Sequence, residues 1–203
     1  TTSVISVYLW AVECAHVTGK MNDAEYEKAL DETKKLVDQF QTVVDESEAW
    51  YDRNRTTIVN SDRLYFLGYG IDFATAIEAQ LKVGEMLRLP ALGYEIEEYS
   101  HGPTMAISKK QTICIIGSDE AEFEHSVDFS KSFKKYTDRV HFITCKDLGN
   151  DPRDCVFSVK TNKYLAPLMF TVPFQFVAAK GAKDVGIDTA INPFDENLAH
   201  YKD

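Results

Sequence analysis

The chain has 203 residues, 44% of them apolar and 27% charged, and a formal net charge of −10. That size and balance suit one globular domain, or one domain with a helical appendage. The acidic surface argues against nucleic acid or an anionic membrane as partner, and no apolar run approaches the ~18 residues of a spanning helix.

Residues 3–17 are apolar on most faces and read as a core helix rather than a signal peptide, because no basic segment precedes the apolar run. Gly19 ends that helix, and Asn22 or Asp23 caps the next. Residues 23–53 predict one long amphipathic helix. Its buried stripe is Leu30, Leu36, Val37, Phe40, Val43, Val44 and Trp50. Together the two helices form an N-terminal arm over 1–55.

From residue 56 the pattern alternates. Residues 63–67 are an apolar strand that ends at Gly68-Tyr-Gly70, and a helix follows over about 73–88. A short strand at 92–95 closes on His101-Gly-Pro103. Strands at 111–116, 139–144 and 156–159 and helices at 120–136 and 165–183 complete the series. A tail without periodicity runs from Asp188 to the end. The expected fold is α/β: a mainly parallel sheet flanked by helices. Ligands of such sheets bind at the carboxyl ends of the strands. Gly68–Gly70, Gly117–Asp119 and the His101 turn fall at such ends.

Cys14, Cys114, Cys145 and Cys155 lack paired spacing, which predicts free, buried thiols in a cytoplasmic protein. No two histidines have metal-ligand spacing, so no metal is expected, and the sequence shows no site for an organic cofactor.

Glu78, Lys82 and Glu85 follow one another at i, i+4 and i+7, which puts them on one stripe of the 73–88 helix. Such a row is often a solvated ion-pair ladder worth a few tenths of a kcal/mol. It also suits a general base, Glu85, with Lys82 beside it to tune it or to meet an oxyanion. His101 precedes Gly102-Pro103, so a tight turn fixes its backbone. It is either a capping residue or an acid/base active near neutral pH. Gly68 and Gly70 mark a strand-to-helix turn where the backbone could approach an anion.

The segments Phe66-Leu-Gly-Tyr-Gly70, Ala76-Ile-Glu78, Leu81-Lys82, Glu85 and His101-Gly-Pro103 have a family counterpart, as do residues 166–176 and Asn197-Leu-Ala199. They resemble the second sugar isomerase (SIS) domain of the glucosamine-6-phosphate synthase and fructosamine-6-phosphate deglycase group. The resemblance spans nearly the whole chain and is most specific at Lys82, Glu85 and His101. It implies a SIS-type sandwich with a helical arm over 1–55 and the second SIS domain over 56–203.

The resemblance also implies roles. Glu85 matches the carboxylate that moves a proton between C1 and C2 of an open-chain 6-phosphosugar. Lys82 matches a lysine that holds the carboxylate and the developing oxyanion. Glu78 matches an acidic position of the motif. His101 matches the histidine that opens the sugar ring from a neighbouring subunit, which implies a homodimer with a shared site. Gly68, Gly70 and His200 are further candidates for substrate contact, and so are Thr1 and Thr2, which resemble the Ser-Thr stretch after a first SIS domain.

The chain departs from the family in two ways. The synthases carry a lysine directly after Asn-Leu-Ala, which forms a Schiff base with the ketose; His200 stands there, and Lys202 is two positions on. Deglycases do not need that lysine, so the expected activity is hydrolysis of fructosamine 6-phosphates to glucose 6-phosphate and an amine. Glu85 would have to be partly desolvated for that role. The alternatives are the isomerase domain of an aminotransferase and a non-catalytic phosphosugar-binding module. The second departure is the lack of a Ser/Thr-rich phosphate loop. Gly117-Ser118-Asp119 takes its place, and Asp119 would repel the anion. The phosphate loops are therefore expected in a first SIS domain outside this sequence.

Overall fold

A computed structural model of the chain describes residues 2–118 and 121–193. Helices α1 (Thr2–Val17), α2 (Asp23–Asp38) and α3 (Phe40–Val59) come first. The order then runs β1 (Arg63–Gly68), α4 (Ile71–Met86), β2 (Ala91–Glu95), α5 (Ile96–Ser100), a 3-10 turn (Pro103–Ala106) and β3 (Gln111–Gly117). It closes with α6 (Phe123–Phe133), β4 (Val140–Thr144), β5 (Cys155–Val156), α7 (Ala166–Phe170) and α8 (Val172–Asp184). The five strands form one sheet in the order β2-β1-β3-β4-β5, with every pairing parallel. This is the expected α/β architecture.

Alternation along the strands sorts side chains onto two faces. Leu64 and Phe66 of β1 join Trp50, Val83, Ile116 and Phe174 in one apolar layer under α3, α4 and α8. Tyr65 and Leu67 face the other way, joining Tyr99, Ile113, Phe123 and Phe133 under α5 and α6.

The N-terminal helices differ from expectation. The predicted 23–53 helix is two helices that break at Gln39, which caps both. Asn22 starts α2 with a capping box to Glu25. In the predicted stripe, Leu36, Val43 and Trp50 are buried, whereas Val37 is 54% exposed. Helix α1 is not a core helix among the described residues. Only Val12 is buried in it, while Val7 and Trp10 are exposed, because α1 packs chiefly on α2 at the domain's margin. Helix α3 crosses the expected 55/56 boundary and lies along α8 within the main core. The last long helix is also two, α7 and α8, each with a proline in its first turn. Of the four free cysteines, Cys14 is exposed and the other three are buried.

A polar layer ties α3 to the far edge of the sheet. Trp50 Nε1 donates to the Arg153 carbonyl at 2.8 Å, and Asn54 donates to that of Pro152 at 3.3 Å. His141 on β4 is wholly buried, meets the Trp50 ring edge-on, and donates from Nδ1 to the Arg153 carbonyl at 2.7 Å. Nearby, Lys134 Nζ lies 2.6 Å from Asp154 Oδ2 and 2.9 Å from Asp151 Oδ2. Asp154 also accepts the Phe142 backbone N–H at 2.8 Å.

Burial pushes the His141 imidazole down to about 4. A histidine depressed in the folded state favours folding fully above its unfolded value of about 6.5, and that contribution is lost as pH falls toward 4. Between pH 7 and 4.5 the loss is expected to be about 2–3 kcal/mol. Urea titrations at the two pH values measure it. His141→Leu should flatten the difference, and an equally steep pH dependence in that variant would remove His141 as its source.

Candidate functional site

Helix α4 is held by a short inward row. Asp72, Thr75, Ala76, Ala79 and Val83 are buried at helical spacing, and the small alanines let α4 lie close on β1 and β2. Close approach is enforced elsewhere too: a Cβ at Gly68 would sit 2.5 Å from the Asp72 backbone. With the inward face fixed, Glu78, Lys82 and Glu85 fall on the outer side. Lys82 Nζ donates to Glu85 Oε2 at 2.8 Å, and the two side chains are 34% and 50% exposed. The hydrogen bond it donates to Glu85 raises the Lys82 ammonium above its ordinary value, so Lys82 stays cationic. Glu85 is thus more solvated within this chain than a strong base requires.

Two depressions flank the stripe. One, of about 400 Å³, lies between α1, α4 and α7/α8, and is lined by Ser3, Thr75, Glu78, Thr171 and Gln175. Thr75 is buried, and its hydroxyl has no hydrogen-bond partner among the described residues. The other, of about 560 Å³, holds Glu85 together with Gly84, Arg88, Pro90, Asn192 and Pro193. Thr2 lines a separate apolar groove with Ile5, Leu36 and Phe40; its neighbour Ser3 is the one that reaches the Glu78 depression. Thr1 and His200 lie outside the described residues.

The remaining candidates stand apart. Gly70 and Glu85 are at opposite ends of α4, about 22 Å apart along an axis that rises 1.5 Å per residue. One hexose phosphate cannot touch both. At the Gly70 end, Asp72 accepts hydrogen bonds from both the N–H and the hydroxyl of Ser118, at 2.8 and 2.9 Å. Both Ser118 donors at this end are therefore engaged by a carboxylate.

His101 caps α5 and is exposed. Ile96 and Tyr99 anchor α5 in the apolar layer on the opposite side of the sheet from α4. One chain therefore does not bring Glu85 and His101 together.

Sequence reasoning missed Ser3, Thr75, Gln175, Arg88 and Asn192. Gln175 sits in the quoted 166–176 segment, and Thr75 is one helical turn before Glu78, so both had a positional signal. Arg88 had none. Among the described residues, no group of three or more His, Cys, Asp or Glu could hold a metal ion, and no helix is long and apolar enough to cross a membrane.

The chain is 24% identical over 193 residues to glutamine–fructose-6-phosphate aminotransferase [isomerizing] of Clostridium tetani, covering 92% of this chain and 31% of that protein. It is 26% identical over 193 residues to the same-named protein of Caldanaerobacter subterraneus, covering 93% and 31%. The chain thus spans about a third of the length of these relatives. The fold matches the C-terminal domain of glucosamine-fructose-6-phosphate aminotransferase from Francisella tularensis, with a TM-score of 0.74 at 18% identity, over 93% of this chain and 54% of that one. The SIS domain family model matches residues 57–182, from the end of α3 to near the end of α8, and the chain belongs to the SIS domain family.

Proposed function

We propose that this chain is the catalytic second SIS domain of an enzyme that hydrolyses fructosamine 6-phosphates. Glu85 moves a proton between C1 and C2 of the opened ketosamine. The resulting aldimine takes up water and releases glucose 6-phosphate and a free amine. Lys82, held cationic 2.8 Å from Glu85, keeps the carboxylate oriented and meets the oxyanion that develops during proton transfer. Glu78 sits two turns back on the same face, lining the depression against α1, and contacts the substrate there.

His101 opens the ring in the site of a second copy of the chain. This assignment is supported by its exposure and by its position across the sheet from Glu85. A second copy would also supply the cover that a half-exposed Glu85 lacks. The phosphate is assigned to a further SIS domain, since the Ser118 donors are taken by Asp72. The observation that carries the reading is the Lys82–Glu85 pair, with Glu85 lining a sugar-sized groove.

A second reading has its own support. The relatives quoted above are aminotransferases aligned over more than nine-tenths of this chain, which favours an aminotransferase isomerase domain. His200 in place of the Schiff-base lysine argues against it.

The test uses the longest natural protein that contains this chain. Incubated with fructoselysine 6-phosphate, it is expected to release glucose 6-phosphate. Absence of release, with glucosamine 6-phosphate formed from fructose 6-phosphate and ammonia, would put the aminotransferase reading in its place.

A further inference from the structure

Helix α4 ends on an unusual residue. Arg88 has φ +57°, the left-handed region that glycine ordinarily fills at a helix end. The N–H groups of Leu87 and Arg88 both donate to the Val83 carbonyl, so the helix closes on this left-handed residue. A glycine would close it without strain. What the arginine adds is its side chain, and that side chain reaches a segment a hundred residues away. Its Nη2 donates to the Ile191 carbonyl at 2.6 Å and approaches that of Asp188 at 3.5 Å.

These carbonyls belong to a small turn beyond α8. Ile191 N–H donates to the Asp188 carbonyl, and Ala190 N–H donates to the Asp188 carboxylate at 2.9 Å. The next two residues, Asn192 and Pro193, line the groove that contains Glu85. We infer that Arg88 is a positioning residue: it latches residues 188–193 across the end of α4 and so sets the wall of the Glu85 groove. The inference rests on the proposed function only for the use made of that groove; the latch itself is a matter of geometry.

Arg88→Gly separates the two. It removes the side chain and the left-handed strain together, so the variant should fold with an unfolding midpoint at or above that of wild type. In the full-length protein the amides of Ala190 and Ile191 should then exchange with deuterium about tenfold faster, the loss of one charge-assisted hydrogen bond. KM for fructoselysine 6-phosphate should rise about tenfold on the same scale, with kcat changed less. Arg88→Lys should restore part of both. Unchanged exchange in Arg88→Gly overturns the latch. Faster exchange with unchanged KM overturns the positioning role. If the wild type does not turn over the ketosamine, the proposed activity fails, and the affinity for fructose 6-phosphate replaces KM as the readout of the groove.

Discussion

Glu85→Gln is expected to lower kcat for glucose 6-phosphate release by about 10²–10⁴, the range that a positioned acid/base contributes. The substitution keeps the shape of the side chain and its capacity to accept from Lys82, while removing the basic oxygen. Because Glu85 is half-exposed and outside the core, stability should change by no more than about 0.5 kcal/mol. KM should move little, since proton transfer is confined to the transition state. The variant also has a signature in its neighbour. The Glu85 hydrogen bond is the largest cause of the raised Lys82 pKa, so the Lys82 titration should fall back toward the ordinary lysine value. Loss of turnover with an intact fold and a relaxed Lys82 would tie the chemistry to this pair. Retained turnover would reduce Glu78, Lys82 and Glu85 to a solvated charge row.

Lys134→Met should do the reverse, destabilising the fold while leaving the chemistry alone. Lys134 joins Asp151 and Asp154 with its ammonium almost enclosed, and Asp154 is 5% exposed at the side chain. Removing the cation strands a buried carboxylate, a change that typically costs about 3–5 kcal/mol. Asp154 cannot simply turn to water, because it accepts the Phe142 N–H and so helps hold β4. Urea denaturation at pH 7 measures the loss. Adding Asp154→Asn keeps an acceptor for Phe142 but removes the stranded charge, so the double variant should recover a good part of the stability. A single variant as stable as wild type would show that the cluster is solvated and weak.

The sheet was legible because its strands are short, nearly continuous apolar runs, as in Ile113–Ile116, separated by helical spacing. The stripe on α4 was legible because a 3.6-residue period places Glu78, Lys82 and Glu85 on one side whatever the helix packs against. The break at Gln39 was not, since glutamine is a good helix former and neither proline nor glycine marks the spot. The exposure of α1 was hidden because an apolar composition says that a face is to be covered, without saying by what. The Arg88 latch leaves no trace in sequence, because a left-handed arginine has no local signature. The deepest gap concerns Glu85 and His101. Sixteen residues look like proximity, yet the chain between them runs the length of β2 and then passes to the other face of the sheet.

The Asp72–Ser118 contact has a thermodynamic consequence. A ligand stabilises a protein only through sites that it fills and that would otherwise be open. Ser118, just after β3, is met by an anion from α4, the Asp72 carboxylate, covalently part of the chain and present at a fixed, very high local concentration. The amide at Ser118 is therefore already satisfied without substrate, and it gives no ligand-linked gain in stability. A phosphate-dependent rise in melting temperature for a protein bearing this domain is then expected to originate at donors other than those of Ser118.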